Sequence, residues 1–158
     1  MSISPWQIEQ WGSAPNERDE VKCQRTVERI KSVLQSRFGS AVDIYLQGSY
    51  RNRTNVRKES DVDIVAEHTG YFFHDISSLS AEDQQKYNVV RTPANYQFAQ
   101  FKNDIQTLLI NEFEALAVQR KNKCILVLQD FYRVNADVVP CYTYKRYYTY
   151  KDVEAEGI

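Results

Sequence analysis

Val21, Val27, Ile30, Leu34 and Phe38 fall at helical spacing and predict an amphipathic helix. Pro15-Asn16 marks its start, with Asn16 as the N-cap and Asp19 three residues on, and Gly39 marks its end. The residues before it, with Trp6, Trp11 and two prolines, read as an irregular lead-in. Alternation over 42–46 predicts a first strand, and 61–67 a second. The stretch 68–94 is the least regular: Gly70 and Pro93 punctuate it, Tyr71-Phe72-Phe73 is an aromatic knot, and Ser80 can open a short helix. Thr92-Pro93 resembles an N-cap followed by a first-turn proline. From there Phe98, Phe101, Ile105, Leu108, Leu109, Phe113 and Leu116 predict a long helix ending at Lys121-Asn122-Lys123. The last third reads as strands at 124–128 and 131–139, with one or two edge strands over the tyrosine-rich 141–150. The expected fold class is α/β (α+β), a mixed β-sheet flanked by two long helices.

At 158 residues this is one domain's worth of chain, long enough for a substantial core. The formal charge of −1 gives no overall bias toward a polyanion, so any polyanion must be held by a local patch. The three cysteines, Cys23, Cys124 and Cys141, form no C-x-x-C pair and indicate neither a disulfide framework nor a zinc knuckle. Cys124 and Cys141 sit in apolar strand-like runs and are expected to be buried, inert thiols. No apolar run is long enough to span a membrane and no signal peptide opens the chain, so a cytoplasmic protein is expected.

The chemistry lies in two stretches. The first runs from Gln47-Gly48-Ser49-Tyr50 through Arg51, Asn52, Arg53 and Thr54 to Ser60-Asp61-Val62-Asp63-Ile64. The second is Val134-Asn135-Ala136-Asp137-Val138-Val139-Pro140. On a strand, Asp61 and Asp63 leave the same face while Val62 and Ile64 turn to the core. Two carboxylates so held repel unless a cation lies between them, and oxygen-only ligands favour Mg²⁺ or Mn²⁺. Asp137 stands in a strand that would otherwise be buried, so it pairs, protonates or binds metal, the bland alternative being a satisfied polar residue at a strand end. In a two-metal site Asp61 and Asp63 would bridge both ions, and Asp137 would hold the ion nearer an acceptor hydroxyl and help to take its proton. Gly48-Ser49, between a strand and the Asp-x-Asp, suits phosphate: the glycine admits close approach and the serine adds a donor. Arg51, Arg53, Arg57 and Lys58 are either a solvated loop or charge compensation for a triphosphate or acceptor.

Gly48-Ser49 followed by Ser60-Asp61-Val62-Asp63, with Asp137 later, resembles the polymerase-β-like nucleotidyltransferase superfamily. The fuller string, with Gln47, Tyr50-Arg51-Asn52, Thr54, Ile64-Val65, Ala136-Asp137-Val138-Val139-Pro140 and Tyr144-Lys145-Arg146-Tyr147, is similar to the bacterial CD-NTases. These are relatives of cyclic GMP-AMP synthase and oligoadenylate synthase that make cyclic oligonucleotide second messengers in anti-phage defence. The resemblance implies a nucleotidyltransferase fold, with Asp61, Asp63 and Asp137 as catalytic metal carboxylates for two Mg²⁺ (or Mn²⁺) ions. It implies nucleotide binding by Gln47, Gly48, Ser49 and Ser60, and phosphate or acceptor contacts by Arg51, Asn52, Arg53 and Thr54. Nucleoside triphosphates are the implied substrates, joined with release of pyrophosphate, and an activating protein or nucleic acid is a candidate partner. The chain stops at Glu156-Gly157-Ile158, where such enzymes usually continue into a helical domain that closes the cleft. Residues 1–158 are therefore expected to be the catalytic core alone. Two alternatives stay open: another nucleotidyltransferase, extending RNA or adenylylating a protein or drug, or a catalytically silent scaffold.

Overall fold

A computed structural model describes residues 17–47 and 61–158. Helix α1 (Glu17–Phe38) buries one stripe, Cys23, Val27, Ile30 and Leu34. The offsets of four, three and four residues place them on a single face. Val21, expected on that stripe, is instead 44% exposed, and Cys23 takes its place. The helix stops at Gly39, whose φ of +55° is a left-handed conformation that glycine adopts without a Cβ clash. The candidate N-cap Asn16 and the lead-in lie outside the described residues.

A short 3₁₀ turn (Gly39–Ala41) leads into β1 (Val42–Gln47), which pairs antiparallel with β2 (Val62–Asp75). Strand β2 is twice the length expected, because Gly70 does not end it. The chain passes through a bulge between His68 and Phe72, where the Gly70 N–H donates to His68 Nδ1 at 3.1 Å. Helix α2 (Ala81–Val90) begins as expected at Ser80, whose hydroxyl accepts the Asp83 N–H at 3.1 Å.

Helix α3 (Phe98–Phe113) starts later than Thr92-Pro93 suggested, at a reciprocal capping box between Gln97 and Gln100. It also ends earlier. Glu114 takes φ +71° and ψ 153°, a 3₁₀ turn follows at Ala115–Ala117, and the chain re-enters the sheet as β3 (Val118–Arg120). Leu116, expected on the buried side, is 92% exposed.

Strand β4 (Ile125–Val127) folds back on β3, and β5 (Ala136–Tyr147) and β6 (Val153–Gly157) complete the sheet. The expected strand at 131–139 starts only at Ala136. The preceding turn is held by Asp130, whose carboxylate accepts the Tyr132 and Arg133 N–H groups at 2.7 and 2.9 Å. The expected edge strand at 141–150 is the second half of β5, ending at Tyr147, with β6 beside it.

Among the described residues the strand order is β1-β2-β5-β4-β3, with β6 on the far half of β5. The β2–β5 pair is parallel and the other pairs are antiparallel, so the sheet is mixed as expected. Both long helices pack on one face of it. Phe101, Ile105 and Leu109 of α3 and Ile30 and Leu34 of α1 meet Val62, Ile64, Ala136, Val138, Ile125 and Val127, all essentially inaccessible to solvent. Apart from Ala136, each such side chain contributes about 2 kcal/mol by burial. With both helices on one side, the alternate residues of β1, β2 and β5 are left to the opposite face. The site is built there.

Candidate active site

The period-2 geometry that sends Val62, Ile64 and Ala66 into the helix-side core sends Asp63, Val65 and Glu67 to the other face. Strand β5 does the same with Ala136 and Val138 against Asp137 and Val139. The parallel register then makes Asp63 and Asp137 direct partners, on strands about 4.8 Å apart. Strand β1 brings Gln47 opposite Asp63 on its other side, so Gln47, Asp63 and Asp137 form one row across three strands. Asp61 sits one residue before β2 and is exposed, while Asp63 and Asp137 are half-buried. The next residue, Val62, donates its N–H to the carbonyl of Asn135, the residue before β5, at 3.1 Å.

The carboxylates disfavour one another's charge. Burial raises the Asp63 carboxyl above its usual value, and the negative charges of Asp137 and then Asp61 raise it further. One oxygen of Asp137, Oδ1, accepts the Cys124 thiol at 3.3 Å. Burial and this carboxylate push the thiol up to about 11. Cys124 is therefore less buried than expected, while its raised thiol leaves little reactive thiolate. It lies half-buried at the site, and Cys141, expected buried, is half-buried as well. Among the described residues no three His, Cys, Asp or Glu side chains form a closed ligand cage as they stand. An all-oxygen acidic cluster with one strained carboxyl nonetheless fits a hard divalent cation, whose charge would relieve the repulsion.

A further carboxylate on this face, Glu67, is already engaged. Its Oε2 accepts the Tyr45 hydroxyl at 3.0 Å and its Oε1 the Thr143 hydroxyl at 2.8 Å. It braces β1, β2 and β5 two same-face positions along from Asp63. Strand periodicity counted on from Asp63 could have found it, since Glu67 is the second same-face position beyond it. Cys124 could not have been found that way, because its place depends on the β4–β5 register. Of the expected nucleotide-binding residues only Gln47 is among those described, where it ends β1 exposed beside Asp63. Gly48, Ser49, Arg51, Asn52, Arg53, Thr54 and Ser60 lie outside the described residues.

The profile of the nucleotidyltransferase domain matches residues 27–158, which takes in all three aspartates and most of the sheet and helices. The chain belongs to the nucleotidyltransferase domain family. Members of this family generally use divalent metal ions. The chain is 44% identical over 158 residues to a cyclic dipurine nucleotide synthase of Elizabethkingia meningoseptica, covering 100% of this chain and 54% of that one. Its fold is similar to that of the Elizabethkingia meningoseptica CdnE cyclic dinucleotide synthase solved with GTP and Apcpp. The TM-score is 0.69 at 39% identity, over 99% of this chain and 51% of that one. It is also similar to the Rhodothermus marinus CdnE c-UMP-AMP synthase solved with Apcpp and Upnpp, at TM-score 0.71 and 28% identity, over 99% and 52% of the two chains. The chain thus spans about half the length of the relatives it matches. No helix among the described residues is long and apolar enough to cross a membrane.

Proposed function

We propose that this chain is the catalytic core of a synthase that joins two nucleoside triphosphates into a cyclic dinucleotide second messenger for antiviral defence. The observation that carries the reading is the row of Asp63 and Asp137 on adjacent parallel strands, with Asp61 beside them, in a nucleotidyltransferase-family chain. The similarity to cyclic dinucleotide synthases supports this product class.

Asp61, Asp63 and Asp137 are the residues that would hold divalent ions, which we take to be two Mg²⁺ or Mn²⁺. When bound, such ions supply charge for the triphosphate and lower the barrier to ionising an attacking hydroxyl. Asp137 stands on the acceptor side and takes up the proton of a 2′- or 3′-hydroxyl. That oxygen forms a bond to the α-phosphorus of the donor, the bond to the β-phosphate oxygen breaks, and pyrophosphate leaves. A second such transfer in the opposite sense closes the ring. Gly48 and Ser49, with Gln47 and Ser60, hold the donor phosphates. Arg51, Asn52, Arg53 and Thr54 contact phosphate or acceptor. The sheet supplies orientation: with the aspartates on strands braced by Glu67, the acidic row is preformed and the reacting groups need only be brought to it.

Incubation of the protein with labelled nucleoside triphosphates and Mg²⁺ tests this. Small phosphatase-resistant products that vanish with Asp61→Asn are expected. Labelled protein or lengthened RNA in their place would overturn the assignment of product.

A further inference from the structure

Asp137 has a partner that none of the site chemistry above uses. Strand β4 runs antiparallel to β5 with Leu126 opposite Asp137, and Cys124, two residues earlier, shares the open face. From that diagonal position its thiol donates to Asp137 Oδ1 at 3.3 Å. The position of Cys124 is itself fixed. It closes the β3–β4 hairpin, its carbonyl accepting the Lys121 N–H at 2.9 Å. The hairpin is in turn clamped from α3 by the buried Lys102, whose ammonium donates to the Lys121 and Asn122 carbonyls at 2.9 and 2.6 Å. A chain of named contacts thus runs from a core helix to one oxygen of one carboxylate.

We propose that Cys124 is a positioning residue for Asp137: by occupying Oδ1 it fixes the carboxylate's rotation and leaves Oδ2 directed to the cation. The inference rests on the assignment of Asp137 as a metal carboxylate. A carboxylate at a strand position rotates about two side-chain bonds, and each state it can reach without a cation dilutes the binding geometry. A single donor anchored to the neighbouring strand removes much of that freedom. Hydrogen-bond partners of metal carboxylates act in this way generally, and their loss weakens metal binding by about 10–100-fold. A thiol suits the position because it is a weak donor, so it orients the carboxylate while withdrawing little of its charge.

The test is Mn²⁺ affinity, followed by electron paramagnetic resonance in the presence of a non-hydrolysable ATP analogue, with thermal melting of each variant alongside. Cys124→Ala and Cys124→Val, which remove the donor with and without loss of volume, are expected to weaken Mn²⁺ about tenfold. Cys124→Ser restores a donor and is expected to bind within about threefold of the native protein. Native-like Mn²⁺ affinity in both donor-less variants overturns the inference. So does a serine variant as weak as the alanine one, since the effect would then follow the sulfur atom and not the hydrogen bond. Asp137→Asn separates this from the parent assignment. If it binds Mn²⁺ as tightly as the native protein, Asp137 is not a ligand and the assignment itself falls. If it binds weakly while Cys124→Ala does not, only the positioning role is lost.

Discussion

Asp63 and Asp137 are register partners on adjacent parallel strands, two carboxylates side by side on one face of the sheet. Their separation in sequence hides this, and their chemistry makes it costly. Burial, then Asp137, then Asp61 raise the Asp63 carboxyl, so the folded protein holds its proton more tightly than the unfolded chain does. In the absence of metal, stability falls as pH rises from the ordinary carboxyl value of 3.8 through the raised folded value, and neutral pH lies on the unfavourable side. Asp63→Asn is expected to raise the melting temperature of metal-free protein at pH 7 and to lower nucleotidyl transfer by about 10³-fold, a loss of about 4 kcal/mol. A melting curve and an initial rate on the same sample check both. A variant that melts lower, or that retains its rate, contradicts the role given to Asp63.

A second pH effect belongs to the two histidines, the only ones in the chain. His68 is enclosed by Tyr71, Tyr96, Phe101 and Tyr142, and its burial holds it below the usual 6.5. His74 is lowered by burial and by the Arg91 guanidinium. Both are depressed bases, so their stabilising effect is complete above the unfolded value and is lost as pH falls through the folded ones. The urea midpoint is expected to drop between about pH 7 and pH 5, and His68→Gln to flatten part of that drop. Glutamine keeps an acceptor for the Gly70 N–H but cannot take a proton. An unchanged slope in the variant would place the pH dependence elsewhere.

These two cases also mark what the sequence could show. The Asp-x-Asp spacing and the apolar flanks of Asp137 were enough to nominate three carboxylates, because strand periodicity is written in single residues. That β2 lies beside β5, with Asp63 against Asp137, is a property of strand order, and no local pattern encodes it. The end of α3 shows the opposite difficulty. Leu116, Ala117, Gln119 and Arg120 are good helix formers, so propensity carries the expected helix on past Phe113. What stops it is a glutamate in a conformation that sequence signals only when glycine occupies it. Gly70 misled in reverse: it reads as a strand end but serves a bulge within β2.

Glu114 supplies a direct test of that account. Its φ of +71° with ψ 153° lies in a region essentially reserved for glycine, at a cost of about 1–3 kcal/mol for a residue with a Cβ. The side chain is exposed, and the cap is made by its backbone N–H to the Ile110 carbonyl at 2.9 Å, which glycine keeps. Glu114→Gly is expected to stabilise the fold by about 1 kcal/mol, or about 2–4 °C in melting temperature for a chain of this size. A lower melting temperature would mean that the entropy glycine adds to the unfolded chain outweighs the strain it removes.

Lys102 poses the converse question, whether a buried charge earns its place. The residue is only 6% exposed, and burial, helped by nearby Arg120, lowers the ammonium below its usual value, so the surroundings disfavour the charge. Against that stand two charge-assisted bonds, at 2.9 and 2.6 Å, to carbonyls of the β3–β4 hairpin. Methionine matches the length and volume of the stem but leaves both carbonyls to water, and the hairpin backbone there is exposed enough for water to reach it. The balance therefore favours the lysine by less than the full strength of two such bonds. Lys102→Met is expected to lower the unfolding free energy by about 1–2 kcal/mol. It should also speed hydrogen exchange at the Lys121 amide, whose bond to the Cys124 carbonyl closes the turn. Faster exchange confined to residues 118–127 is the signature of a clamp on the hairpin. A uniform rise across the sheet would show that Lys102 supports the fold as a whole, and an unchanged or higher stability would show that the burial cost outweighs both bonds.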